Sequence, residues 1–113
     1  MNRTGIPPGS AAVGLYSELC NLPGLEVVGV HAFDGHVHET DLQQRTALCE
    51  QLYEPVKQMV KEVNELYHSS LKVVLGGSPS FPVYAAHTNV ECSPGTFVFW
   101  DAGYAEMLPI FNP

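Results

Sequence analysis

The feature that most constrains the fold is an alternation of helical and buried-strand patterns along a chain of 113 residues. Short β-branched or apolar runs occupy residues 25–33, 71–75 and 97–100, which is typical of strands buried on both faces. A long helical pattern separates the first two runs. Strands that alternate with helices in this way form parallel βα units. The sequence therefore predicts an α/β fold with three parallel strands.

Two helical segments have recognisable boundaries. Residues 11–20 follow a Pro-Pro-Gly sequence, and Ser10 is the predicted N-cap of this first helix. Residues 40–68 carry apolar side chains at helical spacing, and Thr40 begins a capping-box pattern. Pro55 lies within this second segment, where it predicts a kink or a break.

Three strands and two helices are few for a complete α/β domain, because a parallel sheet is normally covered on both faces. Apolar residues make up 45% of the chain and charged residues 15%. This composition leaves apolar surface for further chain or a partner to cover. Since an α/β barrel comprises roughly 250 residues, the simplest prediction is a partial (β/α)8 barrel.

The charge of the chain argues against several classes of partner. Twelve acidic and five basic residues give a formal net charge of −7, and the basic residues form no cluster. Nucleic acids and anionic membranes both bind clustered Lys and Arg, so neither is an expected partner. No apolar run approaches the ~20 residues of a membrane span. Three cysteines without C-x-x-C spacing indicate reduced thiols in a cytoplasmic protein.

Two small loops near strand ends carry hydroxyl groups. Gly76-Gly77-Ser78 follows one predicted strand directly, and Ser93-Pro94-Gly95-Thr96 precedes the next. Glycines let the main chain approach an anion closely, and the hydroxyls add donors. Barrels often bind phosphate on the loops of their last two strands. The loops are therefore candidates for a phosphate site. The alternative is that they are turns at the strand ends with no role in ligand binding.

A second constellation follows the first strand. Asp34, His36 and His38 are of the types that bind divalent metals, and Asp101 is a possible additional ligand. This set would indicate a metal-dependent hydrolase. Because no third ligand stands at a fixed spacing, ordinary loop histidines, or a histidine that contacts substrate, are the favoured alternatives.

The positions of the lysines show whether this chain could form a Schiff base. A Schiff base requires a lysine at the carboxyl end of a barrel strand. Lys57 and Lys61 fall in the long helix, and Lys72 stands at the start of its strand. No lysine of this chain therefore qualifies.

Five blocks of sequence occur in order and are spread over nearly all of the chain. They are Arg3-Thr4-Gly5-Ile6-Pro7-Pro8-Gly9, Asp34-Gly35-His36, Gly76-Gly77-Ser78-Pro79-Ser80-Phe81-Pro82, Glu91-Cys92-Ser93-Pro94-Gly95-Thr96 and Trp100-Asp101-Ala102-Gly103-Tyr104. Taken together, they resemble the D-threonine aldolase and D-serine dehydratase family, whose pyridoxal-phosphate-binding barrel is similar to that of alanine racemase. The last two blocks favour the aldolase branch.

The resemblance implies roles for individual residues. Arg3 looks like the arginine that reaches the ring hydroxyl of the cofactor, and Phe33 lies where the family usually has a ring-side tyrosine. The implied phosphate ligands are Gly77, Ser78, Gly95 and Thr96, and the candidates on the substrate side are His31, Asp34 and His36. In the family the Schiff-base lysine belongs to the first barrel strand and the metal ligands to a later β-domain. No catalytic residue or metal ligand is therefore expected in this chain.

The resemblance also implies what the complete protein does. Residues 1–113 would be the carboxyl-terminal portion of the barrel, with about its last three strands. The full-length protein would be a monomer or homodimer that cleaves D-3-hydroxy amino acids to glycine and an aldehyde, using pyridoxal 5'-phosphate as electron sink and a divalent metal such as Mn or Zn. The alternatives are a D-serine dehydratase-like lyase and a stand-alone phosphate-binding module. The chain alone is expected to be inactive.

Overall fold

The computed structural model describes residues 4–96 and 102–108. Helices and strands alternate along the chain, and the strands form one parallel sheet in the order β1-β2-β3. The elements are α1 (Ser10–Cys20), β1 (Gly29–Ala32), α2 (Leu42–Tyr67), β2 (Lys72–Leu75), α3 (Phe81–Tyr84), β3 (Glu91–Cys92) and α4 (Ala102–Met107). This mixed α/β architecture confirms the predicted parallel sheet with flanking helices, and it is consistent with a portion of an α/β barrel.

The two faces of the sheet differ in their burial. Val73 and Leu75 of β2 are buried in the core that the sheet forms with α2. Lys72 points to the other face, because successive side chains of a strand alternate, and it is exposed. His31 pairs in register with Val74 on this second face and is also exposed. In a closed barrel the uncovered face would line the interior.

The helix α2 supplies more of the core than any other element. Its buried side chains recur at helical spacing, so one stripe of the helix faces the sheet. These residues are Arg45, Cys49, Tyr53, Val56, Met59, Val60 and Val63. The helix also packs against α1 and α3, which places it at the centre of the described structure. No helix in the described ranges combines the length and apolar character that crossing a membrane requires.

The helix α2 continues through Pro55 for 26 residues, so Pro55 does not break it, and the predicted alternative of a kink stays a prediction. A proline in a helix interior costs about 3 kcal/mol. The buried Tyr53 and Val56 flank this position, and each fully buried apolar side chain contributes roughly 1.5–3 kcal/mol. Burial on both sides of Pro55 is therefore sufficient to hold the helix together.

Both predicted N-caps are off by one residue. Gly9 is the N-cap of α1, and Ser10 is already helical. Asp41 rather than Thr40 caps α2, because its Oδ1 accepts a hydrogen bond of 2.8 Å from the Gln44 N–H. A carboxylate at the positive end of the helix is a stronger acceptor than a threonine hydroxyl.

The strands differ from prediction in length and place. The strand expected over residues 25–33 is limited to Gly29–Ala32, since the register with β2 begins at Gly29 and Lys72. The third strand of the described sheet is Glu91–Cys92, which pairs with Val74 and Leu75. Two residues are too few to produce a recognisable strand pattern. The predicted strand at residues 97–100 lies outside the described residues.

Candidate functional site

Three loops meet at the carboxyl edge of the sheet. We refer to residues 33–41 as the β1 loop, residues 76–80 as the β2 loop and residues 93–96 as the β3 loop. The Gly76 N–H donates to the Ala32 carbonyl (2.9 Å), and the Ser93 N–H donates to the Leu75 carbonyl (3.2 Å). These bonds hold the starts of the loops together, at the edge where α/β barrels carry their chemistry.

The β2 and β3 loops join through two hydroxyl groups. Ser78 Oγ lies 2.6 Å from Thr96 Oγ1, and it also accepts a hydrogen bond of 3.2 Å from the Thr96 N–H. The Ser78 side chain is buried, whereas Thr96 is exposed. Because only one of the two O–H groups is used between the pair, the other remains to donate to a further acceptor.

Glycines give these loops their shape. Gly76 has a φ of 72°, and a Cβ there would lie 2.5 Å from Ser80 Oγ, so only glycine fits without a shift. A Cβ on Gly77 would lie 3.2 Å from Phe33 Cε2, which places the Phe33 ring against the β2 loop. At Gly95 a Cβ would meet no atom of the described residues within 4 Å. None of these residues therefore covers the main chain of the β3 loop at this position.

A buried relay connects the β1 and β2 loops. Ser80 Oγ donates to Asp34 Oδ1 at 2.9 Å and accepts from the Gly77 N–H at 3.1 Å. Asp34 and Ser80 are only 7% and 0% exposed. Asp34 Oδ2 has no hydrogen-bond partner among the described residues. The Asp34 carboxylate is thus enclosed behind the β2 loop rather than presented at its surface.

Two further buried groups lie behind this relay. The Tyr84 hydroxyl donates to the Cys49 carbonyl at 3.2 Å. Burial, followed by the negative charge of Asp34, raises the pKa of Tyr84. The same two causes, burial first, raise the pKa of the Cys49 thiol to about 11. Both groups are therefore protonated at neutral pH, and the protonated Cys49 thiol is a poor nucleophile.

His31 reaches across the uncovered face of the sheet. Its Nε2 lies 2.9 Å from Ser93 Oγ, which itself donates to the Gly76 carbonyl at 2.9 Å. Since the single Ser93 proton is directed at Gly76, the His31 Nε2 is the donor in the first of these bonds. A neutral His31 then carries its proton on Nε2 and leaves Nδ1 as an acceptor.

The other candidates are not brought together. His36 and His38 are both exposed, and the buried Asp34 is bonded to Ser80. In residues 4–96 and 102–108 no group of three His, Cys, Asp or Glu side chains is placed to hold a metal. Nothing in this region therefore supports the metal-dependent hydrolase. Arg3 and Asp101 lie outside the described residues.

The three lysines lie away from the loop edge. Lys57 and Lys61 belong to α2, and Lys72 is the first residue of β2. Each lies within 4 Å of a glutamate, namely Glu54, Glu65 and Glu91 respectively. The sequence placed these lysines correctly, and none of them is positioned to form a Schiff base at the carboxyl edge.

Two cavities in the described structure lie away from the three loops. One of about 310 Å³ runs along α1 and β1 and is lined by apolar residues such as Leu15 and Val30. The other, of about 640 Å³, lies along α2 beside Lys57 and Lys61.

The sequence pattern pointed to Ser78 and Thr96, which the structure brings into contact, but it did not predict the bonds that Ser80 and Ser93 make. Both of the latter serines bind the glycine-containing β2 loop through side-chain oxygens. Their partners lie in other segments, 46 residues away in the case of Asp34 and Ser80. The only signal was indirect, because Ser80 and Ser93 stand within the two hydroxyl-bearing loops.

Comparison with known proteins gives a structural likeness. A crystal structure of D-threonine aldolase from Filomicrobium marinum superposes with a TM-score of 0.85 at 27% sequence identity, over 98% of this chain and 31% of that protein. The chain thus spans about a third of the length of this structural relative. No protein-family model matches the sequence, and no curated protein matches it either. The likeness supports the family resemblance of the motifs and an enzyme-type α/β fold.

Proposed function

We propose that residues 1–113 form the carboxyl-terminal portion of a pyridoxal-phosphate-binding barrel of the D-threonine aldolase type, and that this portion binds the cofactor's phosphate. The observation that carries the proposal is the contact between the Ser78 and Thr96 hydroxyls at 2.6 Å. This contact joins two loops at the carboxyl edge of parallel strands. It occurs in a chain of which 98% superposes on such an aldolase.

The loop residues fit a phosphate group. The Ser78–Thr96 pair retains one O–H donor, and no described residue lies within 4 Å of a Cβ placed at Gly95. No described hydrogen bond engages the Gly95 N–H. A phosphate dianion needs several such donors and can bind them without a lysine. Ser78, Gly95 and Thr96 would therefore hold the phosphate, with Gly77 giving the loop its close approach.

Other residues would face the remainder of the cofactor and the substrate. The half-exposed Phe33 ring, packed beside Gly77, would cover one side of the site. The exposed His31 would use its Nδ1 to accept a hydrogen bond or a proton from a polar group above the sheet. Bound pyridoxal phosphate supplies an electron sink for negative charge that develops on an amino acid substrate. The exposed His36 remains a candidate for contact with that substrate.

For the complete protein we propose cleavage of D-3-hydroxy amino acids to glycine and an aldehyde. The D-serine dehydratase reaction is the runner-up within the same family. The divalent metal of the aldolase reaction would be held outside the described residues, since these contain no suitable ligand group. Three cysteines without disulfides support a cytoplasmic protein, which we propose to be a monomer or homodimer.

The experiment that tests this function is calorimetric titration of the chain with pyridoxamine 5'-phosphate and with pyridoxamine. Neither ligand carries an aldehyde, so neither forms Schiff bases with Lys57, Lys61 or Lys72. We expect the phosphorylated ligand to bind at least about tenfold more tightly, because charge-assisted hydrogen bonds to the phosphate dominate the affinity. Equal affinities, or no binding of either ligand, would contradict the proposal.

A stand-alone phosphate-binding module remains the second candidate, because the hydroxyl pair would bind any small phosphate. Inorganic phosphate distinguishes the two functions. Binding of inorganic phosphate as tight as that of pyridoxamine 5'-phosphate would favour the module, and clearly weaker binding would favour the cofactor site. The chain alone should not cleave D-threonine, because none of its lysines lies at the carboxyl edge.

A further inference from the structure

We infer that Asp34 is a positioning residue of the phosphate site: it orients the Ser80 hydroxyl, and Ser80 in turn holds the main chain of the β2 loop. This inference rests on the proposed function. Asp34 does not itself belong to the Ser78–Thr96 pair, so any effect on a bound phosphate passes through Ser80 and Gly77.

The first step concerns the single proton of Ser80. Two acceptors lie within reach of its hydroxyl, Asp34 Oδ1 at 2.9 Å and the Gly77 carbonyl at 3.3 Å. The carboxylate oxygen is both closer and the stronger acceptor. It therefore takes the proton, and the lone pairs of Ser80 Oγ remain available to the Gly77 N–H at 3.1 Å.

The second step concerns the main chain that this bond holds. The Gly77 carbonyl accepts from the Phe81 N–H at 3.1 Å, while the Gly77 N–H is held by Ser80. Both polar groups of Gly77 are then occupied, which fixes the peptide that leads into Ser78. Without Asp34 the Ser80 proton would turn to the Gly77 carbonyl. The Ser80 hydroxyl would then be less well oriented, and its hydrogen bond from the Gly77 N–H would weaken.

The third step concerns the effect of Asp34 on the stability of the fold. Asp34 is only 7% exposed, and its Oδ2 has no partner among the described residues. A buried polar oxygen without a hydrogen bond lowers the free energy of unfolding. A residue that weakens the fold in this way is typical of a functional site. Its negative charge also disfavours a nearby phosphate, so the useful property of Asp34 is its acceptor oxygen and not its charge.

These steps predict that two substitutions of Asp34 will affect ligand affinity differently. Asp34→Asn keeps an acceptor oxygen and removes the charge. Asp34→Leu has the same number of side-chain non-hydrogen atoms, with the same branching, but no acceptor. Binding of pyridoxamine 5'-phosphate should be about five- to tenfold weaker in Asp34→Leu and in Ser80→Ala, the loss expected for one buried hydrogen bond. Asp34→Asn should bind as tightly as the unaltered chain or more tightly, and the double variant D34L/S80A should be no weaker than either single variant.

Calorimetric titration and urea denaturation of the same four variants test the inference. Positioning predicts that Asp34→Leu binds weakly while its free energy of unfolding equals or exceeds that of the unaltered chain, since the unpartnered Oδ2 is removed. A merely structural role predicts that stability and affinity fall together and that Asp34→Asn gives no rescue. That second outcome would overturn the inference.

Amide hydrogen exchange without any ligand keeps the inference separate from the proposed function. The Gly77 N–H should lose protection in Asp34→Leu and Ser80→Ala and keep it in Asp34→Asn. Unchanged protection in Asp34→Leu would overturn the relay, whatever the chain binds. Lost protection in a chain that binds no pyridoxamine 5'-phosphate would contradict the proposed function and leave the relay in place.

Discussion

Ser78 Oγ and Thr96 Oγ1 lie 2.6 Å apart, although 18 residues separate them and each follows a different strand. The contact depends on the parallel pairing of β2 with β3, which brings Ser93 and hence the β3 loop to the carboxyl end of β2. A feature this local is therefore a product of the sheet topology, and it is the centre of the proposed phosphate site.

Removing either hydroxyl should weaken phosphate binding. Ser78→Ala and Thr96→Val are each expected to lower the affinity for pyridoxamine 5'-phosphate about five- to tenfold, because each removes a member of the shared hydrogen-bond pair. Thr88→Val is the matched control, since Thr88 is also exposed but precedes β3. Calorimetric titration checks the prediction. An equal loss in Thr88→Val would show that the effect is not specific to the loop edge.

A side chain at Gly76 should destabilise the fold. Gly76→Ala places a methyl group in the left-handed region at φ 72°, 2.5 Å from Ser80 Oγ and 2.7 Å from Tyr84 Cδ2. The free energy of unfolding should fall by about 2 kcal/mol or more. Gly14→Ala, within α1 and with open space around its Cβ position, should instead raise it by up to ~1 kcal/mol. Urea denaturation measures both, and equal stability of the two variants would contradict this account of the β2 loop.

At the start of α2, substitution of Asp41 should destabilise the fold, whereas substitution of the neighbouring Thr40 should not. Asp41→Ala removes the 2.8 Å bond to the Gln44 N–H and should lower the free energy of unfolding by about 1 kcal/mol. Thr40→Ala should change it by less than ~0.5 kcal/mol, because Thr40 is exposed and does not cap the helix. Thermal and urea denaturation distinguish the two. A larger effect at Thr40 would restore the capping box predicted from the sequence.

Stability should fall at alkaline pH through Cys49. Its pKa is raised from an ordinary value of 9.0 to about 11, so the folded state binds the thiol proton more tightly than the unfolded chain. This contribution is fully present below pH 9.0 and is lost as pH rises towards about 11. Cys49→Ala should reduce the slope of stability against pH in this window, whereas Cys20→Ala, at an exposed position, should leave it unchanged. Identical slopes in the two variants would contradict a raised pKa for the Cys49 thiol. Tyr84, whose pKa is also raised, would supply the slope that remains.

The regular elements of this chain were largely predictable because they are encoded locally. Apolar spacing identified α1 and α2, and β-branched runs identified β1 and β2. The N-cap of α2 depends on which of two neighbouring side chains, Thr40 or Asp41, reaches a main-chain N–H, and their composition does not decide this. The N-cap of α1 is Gly9, which makes no side-chain bond, so no capping side chain marks its position. The continuity of α2 through Pro55 is likewise a tertiary effect, since burial of Tyr53 and Val56 outweighs the local cost.

The candidate site was predictable only in part, for a different reason. Glycine and hydroxyl residues at strand ends indicated the loops that contain Ser78 and Thr96. The bonds from Asp34 to Ser80 and from His31 to Ser93 join residues 46 and 62 positions apart. Such pairs depend on strand order and register, and β3 is too short for its register to be visible in the sequence.

The most direct test of the central claim is to map where pyridoxamine 5'-phosphate binds, by following amide chemical shifts in a two-dimensional NMR titration. We predict saturable shifts at Gly77, Ser78, Gly95 and Thr96. The competing location is the groove along α2, where Lys57 and Lys61 lie beside a cavity of about 640 Å³. Shifts confined to that groove, with the β2 and β3 loops unaffected, would contradict a phosphate site at the carboxyl edge of the sheet.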